Sequence, residues 1–133
     1  MRVTRANAAW ASLAAFLTIA GLMHFIAPSF YRPLIPNPLG DPDRWVYGSG
    51  VVEIAVGVAL IPQKTRRPAA LAAAALFVLV FPGNLQMAWD ARDDSALRQW
   101  ATLARLPLQA LLIWWALSVA KRAKAREVEE PAP

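Results

Sequence analysis

Four long apolar segments dominate this chain, and each contains at least one polar residue that a lipid bilayer disfavours. The segments cover about residues 8–27, 45–61, 69–89 and 100–120, so each has 17 to 21 residues. An α-helix needs about 20 apolar residues to cross a hydrocarbon core of about 30 Å. We therefore predict an all-α fold, a bundle of four transmembrane helices over residues 1–120, followed by a polar cytoplasmic tail over residues 121–133.

The composition supports a membrane protein and excludes several kinds of chemistry. Hydrophobic residues make up 57% of the 133-residue chain and charged residues 17%, against about 45–50% and about 25% in average soluble domains. The chain has no cysteine and one histidine. The first fact excludes disulfides, thiolate metal sites and cysteine-based redox centres. The second excludes bis-histidine haem ligation by a single protomer.

The distribution of lysine and arginine predicts the orientation. The two ends of the chain and the second connection carry nine basic residues, whereas the first and third connections carry four. The nine are Arg2, Arg5, Lys64, Arg66, Arg67, Lys121, Arg122, Lys124 and Arg126, and the four are Arg32, Arg44, Arg92 and Arg98. Basic residues concentrate in cytoplasmic loops. We therefore expect a multi-pass protein of the inner (plasma) membrane with both termini in the cytoplasm, and the net charge of +5 does not require a nucleic-acid partner.

The first connection, residues 28–44, contains five prolines. Proline removes a backbone donor and clashes with the preceding turn, so this density excludes a regular helix. The connection is either a stiff lid over the outer end of the bundle or a simple tether.

The polar residues of the four segments fall in the same half of the predicted bundle. At about 1.5 Å per residue, Glu53 lies about 12 Å from the Trp45 end of its helix. Asn84 lies about 7.5 Å from Trp89, and the remaining members, His24, Gln86, Arg105 and Gln109, are also in the outer half. Ionisable residues within a membrane are costly and usually functional. This agreement in depth predicts one buried polar site.

Spacing refines that prediction. Gly50, Glu53 and Gly57 recur at helical spacing on one face, and small residues allow helices to approach closely in lipid, so we expect Glu53 at a helix interface. Glu53 and Arg105 are the only opposite charges within the predicted spans, and we expect them to form an ion pair, either functional or purely structural. Pro82 and Pro107 predict kinks beside the site, which either open a pocket or serve packing alone.

Four motifs together resemble the DoxX-like family of small four-helix membrane proteins. They are Gly-Leu-Met-His-Phe at 21–25, Tyr-Gly-Ser-Gly-Val-Val-Glu at 47–53, Phe-Pro-Gly-Asn at 81–84 and Arg-Leu-Pro-Leu-Gln at 105–109. The resemblance covers about residues 8–120. It implies the four-helix fold, the polar site and an association with membrane redox complexes, since the family takes its name from a membrane subunit of a thiosulfate:quinone oxidoreductase.

These observations lead to two functional hypotheses. In the first, the chain binds a small lipophilic molecule, a quinone above all, as the membrane partner of a redox enzyme. The ligand-binding residues would be His24, Glu53, Asn84, Arg105, Gln109 and Tyr47. In the second, the protein is an assembly factor or structural subunit, and the ion pair serves only the fold. Transport ranks third.

Neither leading hypothesis requires a stand-alone enzyme. We assign no catalytic residue, no metal ligand and no cofactor held by the chain itself apart from the quinone. The expected partners are the lipid bilayer, a redox-enzyme subunit and further copies of the chain, without nucleic acid.

Overall fold

The computed structural model describes residues 5–129, and every regular element among them is helical. This confirms the all-α prediction. The α-helices are α1 (Arg5–Ile26), α2 (Pro28–Tyr31), α3 (Pro42–Ala59), α4 (Gln63–Leu79), α5 (Phe81–Asp90) and α6 (Ala96–Glu129). Short 3₁₀ turns cover Arg32–Leu34, Asn37–Leu39 and Ala91–Asp93.

Three helical stretches within the described residues are long and apolar enough to cross a membrane: Asn7–Ile26, Gln63–Asp93 and Ala96–Glu129. Bulky apolar side chains cover their outer surfaces, as Leu79 (73% exposed) and Trp114 (67% exposed) illustrate. Helix α3 covers most of the second predicted span, but its 18 residues include three charges, Asp43, Arg44 and Glu53. The four-span count and the orientation therefore remain predictions.

The two prolines beside the predicted site behave differently. The third predicted span is divided at Val80, and Pro82 lies in the first turn of the new helix α5, where its missing N–H is tolerated. Helix α6, by contrast, continues through Pro107. It also extends to Glu129, so residues 121–129 of the predicted tail are helical; residues 130–133 lie outside the described part of the chain.

The apolar core lies at the end of the bundle away from the polar residues. It is formed by α1, α4 and α6 and includes Leu13, Leu17, Leu60, Ala70, Ala73, Phe77, Ala116 and Val119, all buried. The small side chains on α4 let α6 pack closely along it, and the larger leucines come from α1 and from the end of α3. These core side chains pack on one another through hydrocarbon alone, and the buried Arg66 lies beside them at the Leu60 end.

Helices α1 and α3 approach one another through glycine. A Cβ at Gly50 would lie 2.8 Å from His24 Cβ, and one at Gly57 would lie 2.6 Å from Thr18 Oγ1. Both distances are shorter than side chains tolerate. The predicted interface face of α3 is therefore confirmed, and it carries Glu53 toward α1.

The proline-rich connection folds against the polar end of the bundle. The Trp45 indole N–H donates to the Leu39 carbonyl at 2.8 Å, and Arg32 pairs with Asp43 at 2.5 Å. A Cβ at Gly83 would lie 2.6 Å from the Leu34 carbonyl oxygen, so the connection touches α5 directly. Its path favours a cover over the bundle end rather than a loose tether.

Candidate functional site

The first half of the polar cluster joins α1 to α3. His24 is in the last turn of α1 and only 6% exposed. Its Nδ1 lies 3.4 Å from Glu53 Oε2 and 2.8 Å from the Ala20 carbonyl oxygen. A carbonyl only accepts hydrogen bonds, so Nδ1 carries the proton and donates it to Ala20.

That assignment leaves one carboxyl oxygen of Glu53 without a hydrogen-bond donor in the described part of the chain. Among the residues that the structure describes, Glu53 Oε2 is the one buried side-chain nitrogen or oxygen without a hydrogen-bond partner. Buried polar atoms are otherwise almost always paired. The His24 proton is directed at Ala20, so its proximity to Oε2 is electrostatic rather than a formed hydrogen bond.

The second half joins α4, α5 and α6, and it is well satisfied. The Asn84 amide donates to Gln109 Oε1 at 3.2 Å, and Arg105 Nε donates to Asn84 Oδ1 at 3.3 Å. Gln109 Nε2 donates in turn to the carbonyl of Phe77. That carbonyl belongs to the last turn of α4, where backbone acceptors have no intrahelical partner. Gln109 therefore caps the helix end created by the break at Val80.

Two aromatic residues of α2 connect the halves. The Tyr31 ring stacks on His24 with centroids 3.8 Å apart, and the Arg105 guanidinium lies 5.6 Å from the centre of the Phe30 ring. The two aromatic rings meet edge to face at 5.4 Å. Burial and the negative charge of Glu53 raise the pKa of the Tyr31 hydroxyl, whereas the positive charge of Arg105 lowers it. Tyr31 therefore lies within electrostatic reach of both halves.

Sequence reasoning missed Phe30 and Tyr31. Both belong to the proline-rich connection, where no hydrophobic period indicates which side chains point inward. One signal was present: they come two and three residues after Pro28, close beyond His24 in the sequence, so a single tight turn brings them back over it.

The predicted ion pair is wrong. Among the described residues Arg105 has no carboxylate within 4.0 Å, and the titratable neighbour of Glu53 is His24. Depth along a helix was predicted correctly, but the direction around the helix was not. Glu53 shares the α3 face of Gly50 that packs on α1, whereas Arg105 points at α5.

Two further predicted participants lie outside the cluster. Gln86 is exposed and donates to Asp90 Oδ1 at 3.0 Å. Tyr47 is 38% exposed and stacks on Phe25 at 5.5 Å, beside the cluster rather than within it. The structure thus brings His24 together with Glu53, and Asn84 together with Arg105 and Gln109.

The cluster offers hydrogen-bond donors and acceptors, together with one imidazole and one carboxyl group that can exchange protons. In the described part of the chain, no three His, Cys, Asp or Glu residues come together as metal ligands. Its chemistry therefore depends on one imidazole, one carboxyl group, one guanidinium and two amides.

Fold and site together define a class: an all-helical protein with membrane-length apolar helices and a buried polar cluster at one end. Within that class, the chain belongs to the family described as a domain of unknown function, DUF8561, whose model matches residues 13–120. Searches of curated proteins and of solved structures return no match. The matched region includes all the cluster residues named above.

Proposed function

We propose that this protein binds the polar headgroup of a small lipophilic molecule, most specifically a quinone, at the cluster around His24 and Glu53. One observation carries the proposal: Glu53 Oε2 is buried and has no hydrogen-bond partner within the described residues. An unsatisfied buried polar atom costs about 1–3 kcal/mol, and more when charged. A ligand hydroxyl could donate to this oxygen, and a protonated Glu53 could donate to a ligand carbonyl.

A quinone offers both of those groups, as carbonyls when oxidised and hydroxyls when reduced. The flat Tyr31 ring already stacks on the His24 imidazole at 3.8 Å, so the site accommodates a planar six-membered ring. In our proposal the ligand ring slides beside or replaces Tyr31. Its near oxygen meets Glu53 and His24, and its far oxygen faces Arg105 and Asn84.

We also propose that the protein lies in the plasma membrane and crosses it four times. Both termini would then lie in the cytoplasm. Helix α3 packs closely on α1 from Gly50 to Gly57, so it runs beside a membrane-length helix. Its outward side chains include Val51 and Val58, both more than half exposed. An apolar outer face supports α3 as the fourth span despite its three charges.

We further propose that the protein serves a membrane redox system as a quinone-binding subunit rather than as an enzyme on its own. The support is its resemblance to DoxX-like proteins in the motifs around His24, Glu53, Asn84 and Arg105. The proton-active pair of His24 and Glu53 fits this role, because quinone reduction takes up protons.

The rival function is that of an assembly factor or structural subunit, and a specific observation favours it. Asn84, Gln109 and the Phe77 carbonyl satisfy one another, as a purely structural network would. In that case His24 and Glu53 would stabilise the packing of α1 on α3 and would bind nothing.

The test is quinone binding by variants that keep shape while changing proton chemistry. His24→Gln retains a donor for the Ala20 carbonyl but cannot titrate near neutrality, and Glu53→Gln removes the charge at nearly constant volume. We expect each to retain wild-type thermal stability within a few degrees and to lose at least about tenfold in affinity for a short-chain quinone, about 1.4 kcal/mol.

Gln86→Ala is the matched control, because Gln86 lies in the same half of the molecule but outside the cluster. It should bind as wild type does. Wild-type affinity in well-folded His24→Gln and Glu53→Gln variants would reject the quinone site. A protein subunit, rather than a quinone, co-purifying in native mass spectrometry would then support the rival.

A further inference from the structure

The opposite end of the molecule carries a cluster of cations, four of which have no carboxylate partner among the described residues. Arg66, from the first turns of α4, lines a small cavity together with Arg122 and Arg126 of α6, and Lys121 lies beside Arg122 on the exposed face of α6. Within residues 7–129, none of the four has a carboxylate within 4.0 Å. The nearby acid Glu127 is occupied by Arg67, at 3.6 Å.

Arg66 is held firmly inside this cluster. It is only 8% exposed, and its Nε and Nη2 donate to the carbonyls of Leu60 at 2.9 Å and Ile61 at 2.6 Å. Its guanidinium lies 3.9 Å from the centre of the Trp10 ring. These contacts fix a positive charge that cannot move away from its neighbours, so the site favours an anion.

Arg122 lines two cavities at this end of the molecule. A small one of about 20 Å³ is lined by Trp10, Arg66, Val119, Arg122, Ala123 and Arg126. The larger one is a shallow, open cleft of about 540 Å³ along one face of α6, and all its lining residues belong to that helix: Trp114, Leu117, Ser118, Lys121, Arg122 and Ala125. The first has room for little more than a water molecule, whereas a ligand of the second would lie along the exposed face of α6 without being enclosed.

The side chains that line the larger cleft change from apolar to basic along α6. Its first part is apolar and outward-facing, with Trp114 67% and Leu117 47% exposed. Lys121 and Arg122 follow seven and eight residues after Trp114, about 10–12 Å further along the axis. This order, hydrocarbon first and cations next, matches that of a phospholipid running from its acyl chains to its phosphate.

We infer that this cleft binds an anionic phospholipid, with its phosphate on Lys121 and Arg122 and an acyl chain along Trp114 and Leu117. Basic pockets at the ends of membrane helices suit such headgroups. The exposed apolar side chains of Trp114 and Leu117 favour a lipid over free phosphate, which would use only the basic end. The inference is independent of the polar cluster, which lies at the other end of the molecule.

The experiment titrates the full-length protein in neutral detergent with phosphatidylglycerol and with phosphatidylcholine of the same acyl chains, using native mass spectrometry. Lys121→Gln is the test variant. Lys124→Gln is its control, because the same charge is removed three residues away on an exposed side chain that does not line the cleft. We expect wild type to prefer phosphatidylglycerol, and Lys121→Gln to bind it about fivefold more weakly, the effect of one basic residue at an anionic surface.

The Lys124→Gln control should keep at least most of the wild-type affinity for phosphatidylglycerol. Trp114→Ala should weaken the binding of phosphatidylglycerol without changing the response to inorganic phosphate. Equal losses in Lys121→Gln and Lys124→Gln would overturn the inference in favour of a diffuse field. Equal binding of the two lipids would also overturn it. Displacement of the lipid by millimolar inorganic phosphate would overturn the choice of a lipid, because it would identify a phosphate site. Both lysines are exposed, so each variant should fold.

Discussion

Glu53 and Arg105, the two charges predicted to pair, are accommodated by separate means. Arg105 donates to the Asn84 side-chain oxygen and lies over the Phe30 ring, whereas Glu53 lies beside His24 with one oxygen left without a hydrogen bond in the described structure. A charged side chain in the interior of this bundle thus need not have an opposite charge in contact. Amides and aromatic faces supply part of the compensation for Arg105.

This separation predicts additivity in a double-mutant cycle. Glu53→Gln and Arg105→Gln should change the free energy of unfolding independently, with an interaction energy below about 0.5 kcal/mol. Asn84→Leu and Gln109→Leu provide the contrast, because those side chains are hydrogen-bonded and should couple by about 0.5–3 kcal/mol. Unfolding in mixed detergent micelles measures both cycles. Strong coupling in the first cycle would mean that the two charges do meet.

At the scale of elements, the sequence predicted where the helices lie, because that depends on local pattern. It did not predict which way individual side chains point, because that depends on the neighbouring elements. Apolar runs located the long helices, and Pro82 predicted the interruption between α4 and α5. Pro107 did not end α6, because neighbouring packing can retain a helix around a proline. Tyr31 was missed because an irregular connection has no period from which its inward side chains can be read.

The close contact of α1 with α3 gives a prediction with an internal control. A Cβ at Gly50 would lie 2.8 Å from both His24 Cβ and an edge carbon of the Phe25 ring, whereas one at Gly48 would meet nothing within 4 Å. Gly50→Ala should therefore force the helices apart and destabilise the protein by about 1–3 kcal/mol.

Gly48→Ala, in the same helix, should be neutral or stabilising by up to about 1 kcal/mol, because alanine is the better helix former. Thermal unfolding of both variants in one detergent makes the comparison. Equal behaviour of the two would show that α1 and α3 do not pack through Gly50.

At the scale of the whole molecule, the common depth of the polar residues could be predicted, but the division of the cluster into two halves could not. Depth follows from counting residues along each helix. Rotation about each axis depends on which neighbour a face contacts, and that depends on the glycines of α3 and on the path of the proline-rich connection. His24 with Glu53, and Asn84 with Gln109, are therefore separate pairs, connected through Tyr31 on His24 and Phe30 against Arg105.

The number of spans is open to a direct test because the chain has no cysteine. Single cysteines can be introduced at Ser29, Lys64 and Asp93, all exposed positions near the ends of the long helical stretches. They can be probed in intact cells with an impermeant thiol reagent. Four spans with cytoplasmic termini predict that Ser29→Cys and Asp93→Cys react, while Lys64→Cys reacts only after the cells are opened.

The alternative gives a different pattern. If α3 does not cross the bilayer, positions 29 and 64 lie on the same side and position 93 on the other. The pattern of three sites therefore distinguishes four spans from three whichever way the molecule faces. The basic residues next to Lys64 (Arg66 and Arg67) favour the cytoplasmic side for this connection. Because the apolar outer face of α3 is matched to lipid, we expect the four-span pattern, with position 64 alone protected.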